Sequence, residues 1–242
     1  MNAQRKFNFI ASTVLLFDFA SAINLSLEPV VFSALLRKME DDMEDAAKRG
    51  EDSIMRTTQR CYILAQTAWA RSPSEKKAEG ALNVLEMMER NYRGGNAESK
   101  PTVQSYSMVL NSCAFADMVQ DETGRMVKAS PQNQQKAFHI AELTFNRIRK
   151  EAYPKLLPNP VIYGTFIKCC GRLDLPDDIS TESATRAFGE CCRAGLVSDF
   201  VLTQLRYALS PERFLEVLVD NGYEKNTRGK SLSRDGKRMR RF

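Results

Sequence analysis

The chain of 242 residues is poor in the side chains on which most catalytic chemistry rests. It has one histidine, His139, so any site built on two imidazoles is excluded, and a nucleophile–base triad has a single available base. Its six cysteines, Cys61, Cys113, Cys169, Cys170, Cys191 and Cys192, never occur as Cys-x-x-Cys, and two of the pairs are adjacent. That spacing suits neither a zinc site nor an ordinary disulfide framework, and it predicts reduced, buried thiols acting as small apolar residues in a reducing compartment. Glycine and proline are sparse, at 12 and 9 residues, which excludes a collagen-like or low-complexity chain. There is no glycine-rich phosphate loop and no run of alternating strand pattern. These absences predict a protein that is not an enzyme and that carries no metal and no cofactor.

Basic charge is scarce in the body and concentrated at the end. The net charge of +5 is the sum of a tail, 225–242, at +7 and a remainder at −2. In the tail Lys225, Arg228, Lys230, Arg234, Lys237, Arg238, Arg240 and Arg241 face a single acid, Asp235. Such a segment attracts phosphate and other acidic partners, or stays solvated at a free end. Past Gly222 apolar residues are nearly absent, so 220–242 is expected to be a basic disordered tail. Residues 39–52 are acidic and predict a solvated helix end.

One long apolar run exists, at residues 7–23, behind Arg5 and Lys6 and ending Ala20-Ser21-Ala22. It has the parts of a targeting leader, yet Asp18 interrupts it and it is short for a membrane span. Residues 1–26 are therefore a targeting leader or a degenerate first helix, and no stable membrane span is expected.

The rest of the chain has helical period. Tyr62, Ala65 and Trp69, then Tyr106, Val109, Leu110 and Cys113, then Tyr163, Phe166, Ile167 and Cys170 each make one helix face. Gln66 stands out as the polar member of the first set. After each tyrosine helix comes an alanine helix: Ala81, Leu85, Met88; Ala141, Phe145, Ile148; Ala184, Phe188, Cys191. The alternation of tyrosine (A) and alanine (B) helices is an internal repeat of hairpins. A helices are predicted near 58–71, 103–116, 160–172 and 199–208, and B helices near 27–48, 75–93, 133–151, 181–194 and 211–219. Ser72-Pro73, Ser130-Pro131 and Ser210-Pro211 read as helix starts, and Gly94-Gly95 and Gly195 as stops. Residues 117–132 are polar and predict a mobile loop inside the middle hairpin. The expected fold is all-α, a right-handed α-solenoid of antiparallel helical hairpins over 27–219.

The stretches RCYILAQTAWARS, AEGALNVLEMMERNY, KPTVQSYSMVLNSCAFA and PNPVIYGTFIKCCGRL, with Lys-Pro, a short gap, Tyr and an apolar helix followed by an alanine helix ending in Met-Glu, resemble pentatricopeptide repeats. The ending SDFVLTQLRYALSPERFLEVL is similar to the terminal hairpin of algal and stramenopile members. The likeness covers about residues 57–218, with a half-unit at 27–48. It departs from the family in unit length: Tyr62 to Tyr106 is 44 residues and Tyr106 to Tyr163 is 57, against about 35. The appended deaminase-like domain of some members, with its His-x-Glu and Cys-x-x-Cys zinc site, has no counterpart here.

The resemblance implies a non-catalytic organellar RNA-binding protein of a plastid or mitochondrion, acting in RNA processing, stability or translation as an adaptor. It also implies that each unit meets one base of single-stranded RNA with the residue after the A-helix tyrosine and the residue heading the next unit. The base-contacting candidates are then Ile63 with Thr102, Ser107 with Asn159, and Gly164 with Ser198. Ile63 cannot hydrogen-bond a base edge and Gly164 has no side chain, so Ser107–Asn159 is the one competent pair, and sequence-specific choice by this chain alone is not expected. The phosphate-contacting candidates are Lys168, Arg172, Arg206, Arg228, Lys230, Lys237, Arg238, Arg240 and Arg241. The alternative is a tetratricopeptide-like scaffold for a protein partner within a ribonucleoprotein or ribosomal complex.

Overall fold

A computed structural model describes residues 29–50, 57–150, 156–225, 232–234 and 237–238. The described residues are mostly helical, with nine α-helices. In chain order these are α1 (Pro29–Lys48), α2 (Gln59–Arg71), α3 (Lys77–Arg93), α4 (Val103–Ala114), α5 (Pro131–Arg149), α6 (Pro160–Arg172), α7 (Asp177–Arg193), α8 (Asp199–Ala208) and α9 (Pro211–Asp220). Each falls within a few residues of its expected span. The apolar run at 7–23 lies outside the described residues.

The tyrosine-type helices α2, α4, α6 and α8 form a row in which each touches the next. Each also packs on the helix that follows it, α3, α5, α7 and α9 respectively. On the other side α1 touches α3, and α3 touches α5. The tyrosine row is thus buried on several sides, which is why Tyr62 and Tyr106 are fully enclosed. Their hydroxyls need partners there. Tyr62 Oη donates to Glu40 Oε1 of α1 at 2.6 Å, and Tyr106 Oη donates to Glu89 Oε1 of α3, also at 2.6 Å. Tyr163 instead meets the Phe145 ring edge-on at 5.6 Å, and Phe145 stacks on Phe166 at 4.3 Å. Near it, Arg149 joins α5 to α7 through Glu190 at 2.6 Å.

Gln66, the polar residue on the first apolar face, is fully buried and useful. Its Nε2 donates to Ser105 O of α4 at 3.1 Å, tying neighbouring row members together. Trp69 Nε1 likewise donates to Ser33 Oγ of α1 at 2.9 Å. All six cysteines are free thiols, and Cys113, Cys169, Cys170, Cys191 and Cys192 are buried as expected, whereas Cys61 is partly exposed. Burial pushes the Cys170 and Cys191 thiols up to about 12, where a reactive thiolate is not populated at neutral pH.

Two expectations are corrected. Residues 117–132 are not simply a loop. Met118–Gln120 (β1) and Met126–Lys128 (β2) pair antiparallel around a tight turn at Gly124, whose φ is 82°. Asp121 Oδ1 builds that turn by accepting from the backbone N–H of Thr123 and of Arg125 and from the Thr123 hydroxyl. The hairpin is anchored by Gln120 N to Pro73 O at 3.0 Å, and buried Lys77 donates to Phe115 O and Met118 O. Next, Ser72-Pro73 does not start a helix. Ser72 closes α2, its hydroxyl accepts from Ser74 N, and α3 begins only at Lys77. Ser130 and Ser210 do cap α5 and α9. The described part of the tail beyond Gly222 pairs its backbone antiparallel in short strands Glu224–Lys225 (β3), Leu232–Arg234 (β4) and Lys237–Arg238 (β5). It returns to the body through buried Tyr223, whose ring lies 6.2 Å from that of Phe188.

Two predictions follow from this packing. A Cβ on Gly171 would sit 2.8 Å from Ala208 Cα, so Gly171→Ala forces α6 and α8 apart. It is expected to cost about 1–3 kcal/mol in urea unfolding. Burial raises the Glu40 carboxyl above its ordinary 4.5, opposed by the Tyr62 hydroxyl bond and by Arg90 and Arg37. The folded chain therefore holds that proton more tightly than the unfolded one, and the contribution is whole below pH 4.5 and lost as pH rises through the raised value. Glu40→Gln removes that loss, so the melting temperature of the variant should gain on the parent as pH is raised from 4 to 7.

Candidate nucleic-acid interface

The six residues assigned to base contact all lie on, or at the head of, the tyrosine-row helices. Three of them head a helix: Thr102 precedes α4, Asn159 precedes α6 and Ser198 precedes α8. A helix start leaves backbone N–H groups without partners, and a short polar side chain at that position supplies one. Asn159 Oδ1 accepts from Ile162 N at 3.0 Å, and Ser198 Oγ from Val201 N at 3.4 Å. At Thr102 the backbone N–H donates to Ser105 Oγ at 3.0 Å, and Thr102 Oγ1 accepts from Gln59 Nε2 at 3.1 Å. The acceptor atom of each is thus already engaged in the fold.

The three residues after the tyrosines differ. Gly164 is buried beneath α8, and a Cβ there would meet the Phe200 ring at 2.3 Å. The ring fills the place where a reading side chain would stand. Ser107 is partly exposed on α4. Ile63 is partly exposed and lines a surface cavity of about 530 Å³ with Thr58, Gln59, Arg60, Glu98 and Gln104. The amides in that cavity, Gln59 and Gln104, were missed by reading the residues after the tyrosines. Gln59 stands one helical turn before Ile63, and that i, i+4 spacing is the signal in the sequence that pairs them on one face.

The cations on the body are partly committed as well. Lys168 Nζ lies 3.9 Å from the centre of the Phe115 ring, and Arg172 Cζ lies 4.7 Å from it. Arg172 also pairs with Asp117 at 2.6 Å. Burial, and then Arg172, holds the Lys168 ammonium below the ordinary lysine value. Arg206 is exposed on α8. Lys237 and Arg238 lie on β5, while Arg228, Lys230, Arg240 and Arg241 lie outside the described residues. His139 is exposed on α5. Among the described residues no group of three or more His, Cys, Asp or Glu side chains could hold a metal ion, and no helix is long and apolar enough to cross a membrane.

The caps and the readers separate by experiment. Asn159→Ala should cost about 1 kcal/mol in chemical denaturation, with Asn159→Asp retaining most of that stability, since only the cap acceptor matters. Ser107→Ala should stay within about 0.5 kcal/mol of the parent.

No family model matches the chain, and neither does a curated protein or a solved structure.

Proposed function

We propose that the chain is a non-catalytic helical-repeat protein that binds single-stranded RNA weakly and without strong sequence choice, as an adaptor in RNA processing, stability or translation. In this reading the hairpins form a right-handed solenoid like that of pentatricopeptide and tetratricopeptide repeats, and the row α2–α4–α6–α8 is the binding surface. The observation that carries it is the charge of the row helices. The four row helices hold Arg60, Arg71, Lys168, Arg172 and Arg206 against one acid, Asp199. Of the other helices α1, α7 and α9 carry more acids than bases, α3 is balanced, and α5 carries three bases against one acid. Row helices with a single acid suit a polyanion, because each basic contact with phosphate releases counterions, although Asp117 already pairs with Arg172 beside them. The exposed Phe200 ring adds a face on which a base can stack irrespective of its identity. The basic tail, Lys237, Arg238, Arg240 and Arg241 included, extends the phosphate contacts. The site of action in this proposal is an organelle, plastid or mitochondrion, and the adaptor works beside a protein partner in an RNA-processing or ribosomal complex.

The second reading, a scaffold that docks a protein, is favoured by the terminal hairpin. There Tyr207 is 78% exposed and Val219 58% exposed, with Leu215 beside it in sequence spacing i, i+4.

A salt series on single-stranded RNA separates the two. In the full chain Arg60, Arg71 and Arg206 are changed together to Gln. As a control, Lys136, Arg186 and Arg213 on α5, α7 and α9 are changed together to Gln. The row variant should lower affinity and flatten the log–log salt slope by about 2, at roughly 0.7 per lost phosphate contact, with the control unchanged. Loss only on changing Lys237, Arg238, Arg240 and Arg241 would reduce RNA binding to the tail and leave the scaffold reading standing.

A further inference from the structure

Two cations of the row share one aromatic ring, and a neighbouring acid already claims one of them. Lys168 and Arg172 stand one helical turn apart on α6. Both lie over the Phe115 ring, Lys168 Nζ at 3.9 Å and Arg172 Cζ at 4.7 Å from its centre. Phe115 ends α4, and two residues later Asp117 places a carboxylate at the same spot, with Oδ2 at 2.6 Å from Arg172 Nη2. Asp117 comes just before β1, in the insertion that lengthens the middle unit. Among the described residues Lys168 has no ion pair of its own.

The carboxylate is fixed more firmly than the guanidinium. Lys77 Nζ donates to Phe115 O at 2.9 Å and to Met118 O at 3.2 Å, one on either side of Asp117. Asp117 O accepts from Ala129 N at 2.8 Å, which closes the base of the hairpin. Lys128 and Asp174, 2.8 Å apart, strap β2 to the link after α6. The Asp117 side chain is 17% exposed against 38% for Arg172, and Asp117 Oδ1 is buried without a hydrogen-bond partner among the described residues. Drawing Arg172 away would leave a mostly buried carboxylate with neither oxygen paired, which is the costly way to break an ion pair. A phosphate therefore reaches Arg172 only against that cost.

We propose that Lys168 and Arg172 form a phosphate subsite for single-stranded RNA that Asp117 holds shut, an autoinhibitory contact supplied by the inserted hairpin. It rests on the RNA reading above and adds a lock to it. With Asp117 in place the two cations present a single net positive charge to a phosphate, and Arg172 Nη2 already faces a carboxylate. Neutralising Asp117 restores the second charge and frees the guanidinium fork, whose planar donors match phosphate oxygens. The row then holds one more phosphate than the parent chain does. The sign of the effect separates the lock from a purely structural ion pair: loss of a structural pair lowers stability and leaves affinity unchanged or lower, whereas loss of the lock raises affinity.

The test is a salt series with a single-stranded uridine homopolymer on the full chain, parent against Asp117→Asn. The variant should bind at least about threefold more tightly at low salt, and its log–log slope should steepen by about 0.7, one added phosphate contact. Glu122→Gln removes the same charge from the exposed turn of the hairpin and should change affinity by less than about 1.5-fold, since a solvated charge is screened. Arginine footprinting of the parent chain with phenylglyoxal, with and without the RNA, needs no variant to fold: Arg206 should gain protection and Arg172 should not. The lock is overturned if Asp117→Asn folds and leaves affinity and slope unchanged or lower, if Glu122→Gln matches its gain, or if RNA protects Arg172 in the parent. A parent chain that binds no RNA overturns the lock together with the RNA reading. Binding that follows Arg60, Arg71 and Arg206 but gains nothing with Asp117→Asn overturns the lock alone.

Discussion

The constraint on which the fold rests is the burial of a phenol in each of the first two units. A tyrosine on a helix enclosed by its neighbours cannot leave its hydroxyl unpaired without a cost of about 1–3 kcal/mol. The chain answers with a carboxylate on the helix that lies behind it, Glu40 for Tyr62 and Glu89 for Tyr106. Those carboxylates then need partners of their own. Glu89 finds Arg147 of α5 at 3.5 Å, and Arg147 also holds Glu86 at 2.8 Å. One buried hydroxyl thus sets the register of three helices. Asn91, donating to Tyr62 Oη at 2.7 Å, adds α3 to the first of these clusters. In the third unit Tyr163 has no such carboxylate, and stacked rings with the Arg149–Glu190 pair take over the same joint.

The same economy of polar groups limits what the tyrosine row can recognise. A side chain that caps a helix has its acceptor committed before any ligand arrives, as at Asn159 and Ser198. A glycine that lets α8 lie close to α6, as at Gly164, gives its reading position to the Phe200 ring. The surface that results has cations, one of them paired with Asp117, and an aromatic face, which in the proposed reading give affinity without discrimination.

Much of this was legible in residue order. The period of Tyr62, Ala65 and Trp69, and of Ala81, Leu85 and Met88, located helices because a packed face must recur every 3.6 residues. Ser130-Pro131 and Ser210-Pro211 marked starts because a proline at the first helical position loses no hydrogen bond. The β1–β2 hairpin was not legible. Its strands have three residues each, too few for an alternating pattern, and what holds them is a backbone bond to Pro73 and the buried ammonium of Lys77, more than forty residues away from Met118 in the chain. Ser72-Pro73 misled for a similar reason: it carries the start signal, but its hydroxyl serves a turn at Ser74 that the packing of α2 against α3 selects.

The sequence by itself determined the helical class, the alternation of two helix types and the reduced state expected of buried thiols, because each depends on periodicity and residue chemistry along the chain. Only the tertiary structure decided which polar side chains remain available to a ligand. That depends on who stands opposite: Gln66 has its amide on Ser105, Lys168 has Phe115 beneath it, and Gly164 has a ring over it because α8 crosses there.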